Sequence, residues 1–219
     1  MKSPKTPFPK DLKIALVAFI ALSFLRFIVF RSETFFYLIW NVFLAYLPFL
    51  FSAVILNFKD RGVTGKISVI FGGILWLLFF PNAPYVVTDF IHLSQNSLAP
   101  LWYDALLLAS SAWVGLLFGM YSLFNVEVLL KRYFSTRILW MILIIAMLFS
   151  SFGIYLGRFL RWNSWDVVIN PLELLQDIWF VLAHPFINFQ AYVFMIIFFI
   201  FILGTYLWWR PMQNKNINL

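Results

Sequence analysis

Six apolar runs set the limits on what this chain can fold into, and one of them is too short for its task. A helix needs about 20 apolar residues to cross a hydrocarbon core about 30 Å thick. Residues 12–30, 34–58, 101–126, 137–157 and 189–209 supply such runs. The third, 67–80, holds only 14 residues, roughly 21 Å at the helical rise. To cross, it must continue through Pro81-Asn82-Ala83-Pro84-Tyr85, to about residue 93. Two prolines so close together remove backbone donors and clash with the preceding turn, so a broken helix near 82–84 is expected. Its freed backbone groups then need protein or water partners. The fold class is all-α: a polytopic transmembrane helical bundle of about six spans, in one integral-membrane domain over 1–219.

Composition agrees with that reading. Hydrophobic residues make up 63% of the 219 and charged residues 11%, with 28 Phe and 10 Trp. A soluble domain is nearer half apolar and a quarter charged. With no cysteine, disulfides, thiolate catalysis and Cys-ligated metals are excluded. The formal charge of +7 comes from short basic clusters beside apolar runs, which is the pattern of membrane topology rather than nucleic-acid binding. The basic start, residues 1–13, reads as the flank of an uncleaved first span, because no convincing small-residue cleavage site follows.

Orientation follows from Lys and Arg. With the N-terminus inside, twelve of the sixteen fall on the inner side: Lys2, Lys5, Lys10, Lys13, Lys59, Arg61, Lys66, Lys131, Arg132, Arg137, Arg210 and Lys215. Arg31, Arg158 and Arg161 fall outside, and Arg26 lies within the first span. Both termini are therefore expected on the cytoplasmic side. Most acids sort the other way: Glu33, Asp89, Asp104, Asp166, Glu173 and Asp177 fall outside, as do both histidines, while Asp11, Asp60 and Glu127 fall inside.

Three outer segments concentrate polar chemistry. In Pro81 to His92, a helix restarting after Asn82 puts Tyr85, Asp89 and His92 at i, i+4 and i+7, on one face, with Asn82 as its cap. The plainer reading is a proline kink whose polar end reaches water. The stripe as a whole favours a functional role, since polar groups at membrane depth are costly to keep. In Trp102-Tyr103-Asp104, the carboxylate suits the helix dipole and the rings suit an aromatic belt, which weighs equally with a site role. In Gly157 to Asp166, Arg158 and Arg161 stand where basic residues are disfavoured. They call for a salt bridge to Asp89 or Asp104, or for an anion such as a lipid phosphate. Counting from the inner boundaries puts Asp89, Asp104 and Arg158 at a similar outer level, and their convergence is a hypothesis.

Residues 171–184 read as a short interfacial amphipathic helix, with Asn170 as N-cap, Pro171 at the first position and Pro185 as its end; a re-entrant hairpin is the alternative. Glu173, Gln176, Asp177 and His184 fall toward one side of it. Arg26 reads as a snorkelling side chain, with pairing to an outer acid the minority reading. Asn41 and Pro48 suggest an interhelical contact and a kink. Glu127 and Lys131 form an ordinary i, i+4 pair. Gly115/Gly119 and Gly153/Gly157 suggest close packing of the fourth span on the fifth.

The motifs Pro81 to Tyr85 with Thr88, Asp89 and His92, then Trp102 to Asp104, then Gly153 to Asp166, resemble a bacterial integral-membrane family catalogued as domain of unknown function 1361. The resemblance covers most of the chain from the second span onward. It implies a bacterial cytoplasmic membrane and brings no activity with it.

Three functions remain open at this level. An outer-leaflet enzyme would use Asp89, His92 and Asp104 as acid/base groups or as ligands of a divalent metal ion. Its substrate-binding residues would be Asn82, Tyr85, Arg158, Arg161, Trp162, Asn163 and Asp166, and its substrate a phospholipid or lipid-linked sugar. A small-solute transporter would use the broken span, although no inverted repeat is present. A binding protein or envelope-complex subunit, partnered by lipids, another membrane protein or a second copy, needs the least special chemistry. Nucleotide loops of the G-x-x-x-x-G-K-[ST] and G-x-G-x-x-G types are absent, and no Ser/His/Asp set stands out.

Overall fold

A computed structural model describes residues 8–31, 33–58, 62–93 and 98–217, apart from the side chains of 58, 62–64, 66 and 214–217. Lys2, Lys5, Lys59, Asp60 and Arg61, which enter the charge split above, lie outside the described residues, as do the side chains of Lys66 and Lys215. Every element is helical: α1 Lys10–Phe30, α2 Tyr37–Phe58, α3 Gly62–Phe79, α4 Asn82–Tyr85, a 3-10 helix η1 Val86–His92, α5 Leu101–Leu130, α6 Thr136–Phe159, α7 Asp166–Ile169, α8 Pro171–Ala183 and α9 Phe189–Ile217. Six stretches are long and apolar enough to cross a membrane, one of them Ile67–His92, which takes in α3, α4 and η1. The chain divides into two compact units, residues 1–129 and 130–219.

The first unit is organised around α5, the most buried span of the chain. Helix α1 runs antiparallel to it and is tied to it near both ends. Arg26 Nε donates to Asp104 Oδ1 at 2.8 Å at one end, and Tyr121 OH donates to Asp11 at 2.7 Å at the other. The anchors are fifteen residues apart on α1 and seventeen on α5, about 22 and 25 Å at the helical rise. Helix α2 meets α5 through edge-on rings, Tyr46 on Phe118 at 5.4 Å and Phe49 on Tyr121 at 6.3 Å. Asn125 adds a hydrogen bond to Ser52 at 3.1 Å.

The broken span packs where the chain has no side chain to obstruct it. A Cβ on Gly115 would stand 2.8 Å from the Ala83 carbonyl oxygen and 3.0 Å from a Val86 methyl. One on Gly119 would meet Ala83 Cβ at 3.2 Å. The glycine pair on α5 therefore receives the α4–η1 segment. Glu127, read as an i, i+4 partner of Lys131, is fully buried, while Lys131 is exposed.

In the second unit α6 packs along α9, and α7 leads into α8. Leu174 and Val181 of α8 share a core with Phe152 and Leu156 of α6 and Ala191 of α9, with Ile178, Trp162 and Met195 packed against it. Pro171 stands at the first position of α8 as expected, but the Asn170 side chain makes no capping bond. The other end of α8 is better served, because Asn188 Nδ2 donates to the His184 carbonyl at 3.0 Å.

Gly115→Ala should destabilise the protein more than Gly119→Ala. The first drives a methyl onto a backbone oxygen that cannot rotate away, at a cost of about 1–3 kcal/mol; the second presses on a side chain. Thermal unfolding of the two variants in detergent orders them.

Candidate functional site

The prolines determine how the third span is rebuilt. Pro84 has no N–H for the Phe80 carbonyl, so the Ala83 N–H takes it at 3.2 Å in a tighter turn. The Phe79 carbonyl is claimed by the Asn82 side chain, whose Nδ2 donates to it at 2.9 Å. Asn82 thus serves the turn before it and does not cap the helix after it, where no side-chain cap bond exists. Seven residues of 3-10 helix follow, longer than the three or four such turns usually reach.

That change of winding replaces the expected stripe. At three residues per turn, Val86, Asp89 and His92 stand above one another, and Tyr85 drops out of line. Asp89 is 1% exposed and accepts a hydrogen bond from Asn41 Nδ2 at 2.8 Å. One turn on, the His92 ring meets Tyr37 edge-on at 5.4 Å. Tyr37 and Asn41 are four apart on α2, so a helical face and a 3-10 face pair off in two steps. Asn41 is the interhelical contact its position in an apolar span suggests.

Asp104 goes to a partner that the sequence placed in the minority. Its ion pair with Arg26 is 2.8 Å long and almost wholly enclosed, with side-chain exposures of 2% and 1%. The Arg26 guanidinium also lies 4.6 Å over the Phe35 ring. Tyr103, the next residue, donates to the Leu22 carbonyl at 2.7 Å. Arg26 does not snorkel, and Asp104 is no mere dipole cap. An arginine in an apolar span without a partner is costly; that cost is the signal that could have ranked the pair above snorkelling. The cavity beside it, lined by Ser23, Arg26, Phe35, Phe36 and Leu107, is about 10 Å³, room for one water at most.

Asp89 thus faces Asn41, His92 faces Tyr37, and Asp104 pairs with Arg26. Among the described residues no three His, Cys, Asp or Glu side chains are grouped to hold a metal ion.

In the second unit the arginines stand at a helix end. Arg158 is half-buried in the last turn of α6, where a cation suits the dipole. Arg161 is exposed and left-handed, with φ 63°, and the next N–H, of Trp162, turns back to the Leu156 carbonyl at 3.2 Å. Arg31 ends α1 in the same conformation, φ 47°. Two arginines thus stand in left-handed positions just past helix ends. The carboxylates around the Trp162 turn are engaged. Asp177 accepts from Trp162 Nε1 at 2.8 Å, and Asp166 accepts from the Asn163 backbone N–H at 2.7 Å.

A helical chain with six candidate spans and charges paired in its interior is a multi-pass membrane protein. The chain belongs to the family described as Protein of unknown function (DUF1361), whose model matches residues 40–205. No curated protein and no solved structure matches it.

Removing either charge of the Arg26–Asp104 pair alone should cost about 3–5 kcal/mol, because the other is left enclosed and unpaired. Arg26→Leu with Asp104→Leu should recover most of it. Unfolding midpoints of the singles and the double check this; a double no better than the singles contradicts it.

Proposed function

We propose that this is a non-catalytic multi-pass protein of a bacterial cytoplasmic membrane, with both termini cytoplasmic. On the opposite side it binds an anionic, phosphate-bearing lipid or lipid-linked group, either alone or as a subunit of an envelope complex. The observation that carries the reading is Arg161: an exposed cation in a strained backbone position, in a turn whose nearby carboxylates, Asp166 and Asp177, already hold other donors. Arg158 lies one turn back on the same helix end, and a pair of guanidinium forks suits phosphate oxygens. Trp162 and Asn163 shape the turn. Asn82 stands in the first unit, with its amide nitrogen on the Phe79 carbonyl. The charge split, with twelve of sixteen basic residues on one side, supports the orientation.

Arg161→Gly separates this role from a purely structural one. Glycine adopts a positive φ freely, so the variant should unfold at the same temperature or higher, by up to about 1 kcal/mol. It should lose most of the thermal stabilisation that phosphatidylglycerol gives the wild type over phosphatidylcholine, and Arg158→Gln should lose it too. Undiminished stabilisation in both variants would sink the proposal.

One observation favours a second reading, acid–base chemistry: the long 3-10 segment aligns buried Asp89 with His92. Asp89→Asn keeps the shape and removes the acid. Unchanged support of growth by that variant, where deletion of the chain impairs it, removes this reading.

A further inference from the structure

We infer that α8 lies along the membrane surface and inserts one face, Leu172, Leu175, Trp179 and Leu182, among lipid acyl chains. At 100° per residue α8 has three faces, not two. The first, Leu174, Ile178 and Val181, packs on α6 and α9. The second, about a third of a turn away, is Leu172, Leu175, Trp179 and Leu182, all exposed, with Leu172 at 74% and Trp179 at 72%. The third carries Glu173, Gln176, Asp177 and His184. A helix that needed only a protein core and water would show no second apolar face.

Hydrogen bonds fix its level. Asp177, midway along α8, is held by Trp162, three residues past the end of α6. Near the C-terminal end, Tyr192 OH donates to the Leu182 carbonyl at 3.2 Å, from within the first turn of α9. Both points of α8 are tied close to the ends of spanning helices. The two tied positions are five residues apart, about 7.5 Å at the helical rise, so the C-terminal half of α8 is held at the level of those helix ends. The occupant is lipid rather than protein because the apolar surface does not stop at α8. It runs through the following turn, where Phe186 is 96% exposed, onto Phe189, Ile196 and Ile200 of α9, a span whose outer surface has the same character. No charged residue interrupts it, and the carboxylates of α8 fall on a different face, as in helices that lie in the interface. The inference stands on packing and does not depend on an anion at Arg161.

The chain has no cysteine, so single substitutions can be labelled cleanly. Leu175→Cys, Leu182→Cys and Gln176→Cys, each carrying a nitroxide, go into vesicles of phosphatidylcholine with phosphatidylglycerol. Collision with oxygen, which concentrates in lipid, is compared with collision with a water-soluble nickel chelate. Positions 175 and 182 should favour oxygen at least several-fold over 176, and at similar depth. Nickel access at 175 and 182 would show a helix in water. Shielding from both reagents would show a protein partner on that face, and a large depth difference between 175 and 182 a re-entrant helix; each result overturns the inference. Both leucines are exposed, so neither substitution opens the core, and either position alone decides the matter.

Discussion

A backbone carbonyl with no donor is expensive wherever water is scarce, and the third span is arranged around meeting that need. Two prolines take away donors, a tightened turn and the Asn82 amide replace them, and the chain continues as 3-10 helix. The tight winding turns Val86 inward and sets Asp89 opposite Asn41. It also brings the Ala83 carbonyl so near α5 that only glycine fits at 115. The Asn82 bond, the tight winding and the close approach are consequences of one local deficit.

The same rule applied to charge explains α1. An arginine and an aspartate excluded from water are tolerable only together. Their pairing at one end of two antiparallel helices, with Tyr121 and Asp11 at the other, fixes register as well as neutrality. Such a pair is weak evidence for net stability, since well-packed leucines would serve as well. It is stronger evidence that α1 and α5 have one permitted alignment.

How much of this was legible in the sequence differs by level. Apolar runs gave the spans within a few residues, because length and hydrophobicity decide crossing. The break after residue 80 was legible because proline lacks a donor whatever surrounds it. The stripe Tyr85–Asp89–His92 was not, since it assumed 3.6 residues per turn and the winding there is nearer three. Arg26 was misjudged because snorkelling is a property of one helix, while its partner lies 78 residues away. The glycine pair on α5 announced a close approach but could not say to what. The short helix α7 gave no periodic signal at four residues. The arginines at 158 and 161 looked anomalous by side; their place at a helix end supplies a local reason that the side count could not.

The distance along the chain between Arg26 and Asp104 also bears on how the protein is made. Helix α1 is made before α5 and carries its guanidinium one turn from its end, where an unpaired charge costs less than the about 3 kcal/mol it costs at the centre of a spanning helix. Its counter-ion follows 78 residues later, which at ordinary rates of synthesis is about 4–16 s. The ion pair forms only after α5 has been made, and α1 reaches its final alignment no sooner.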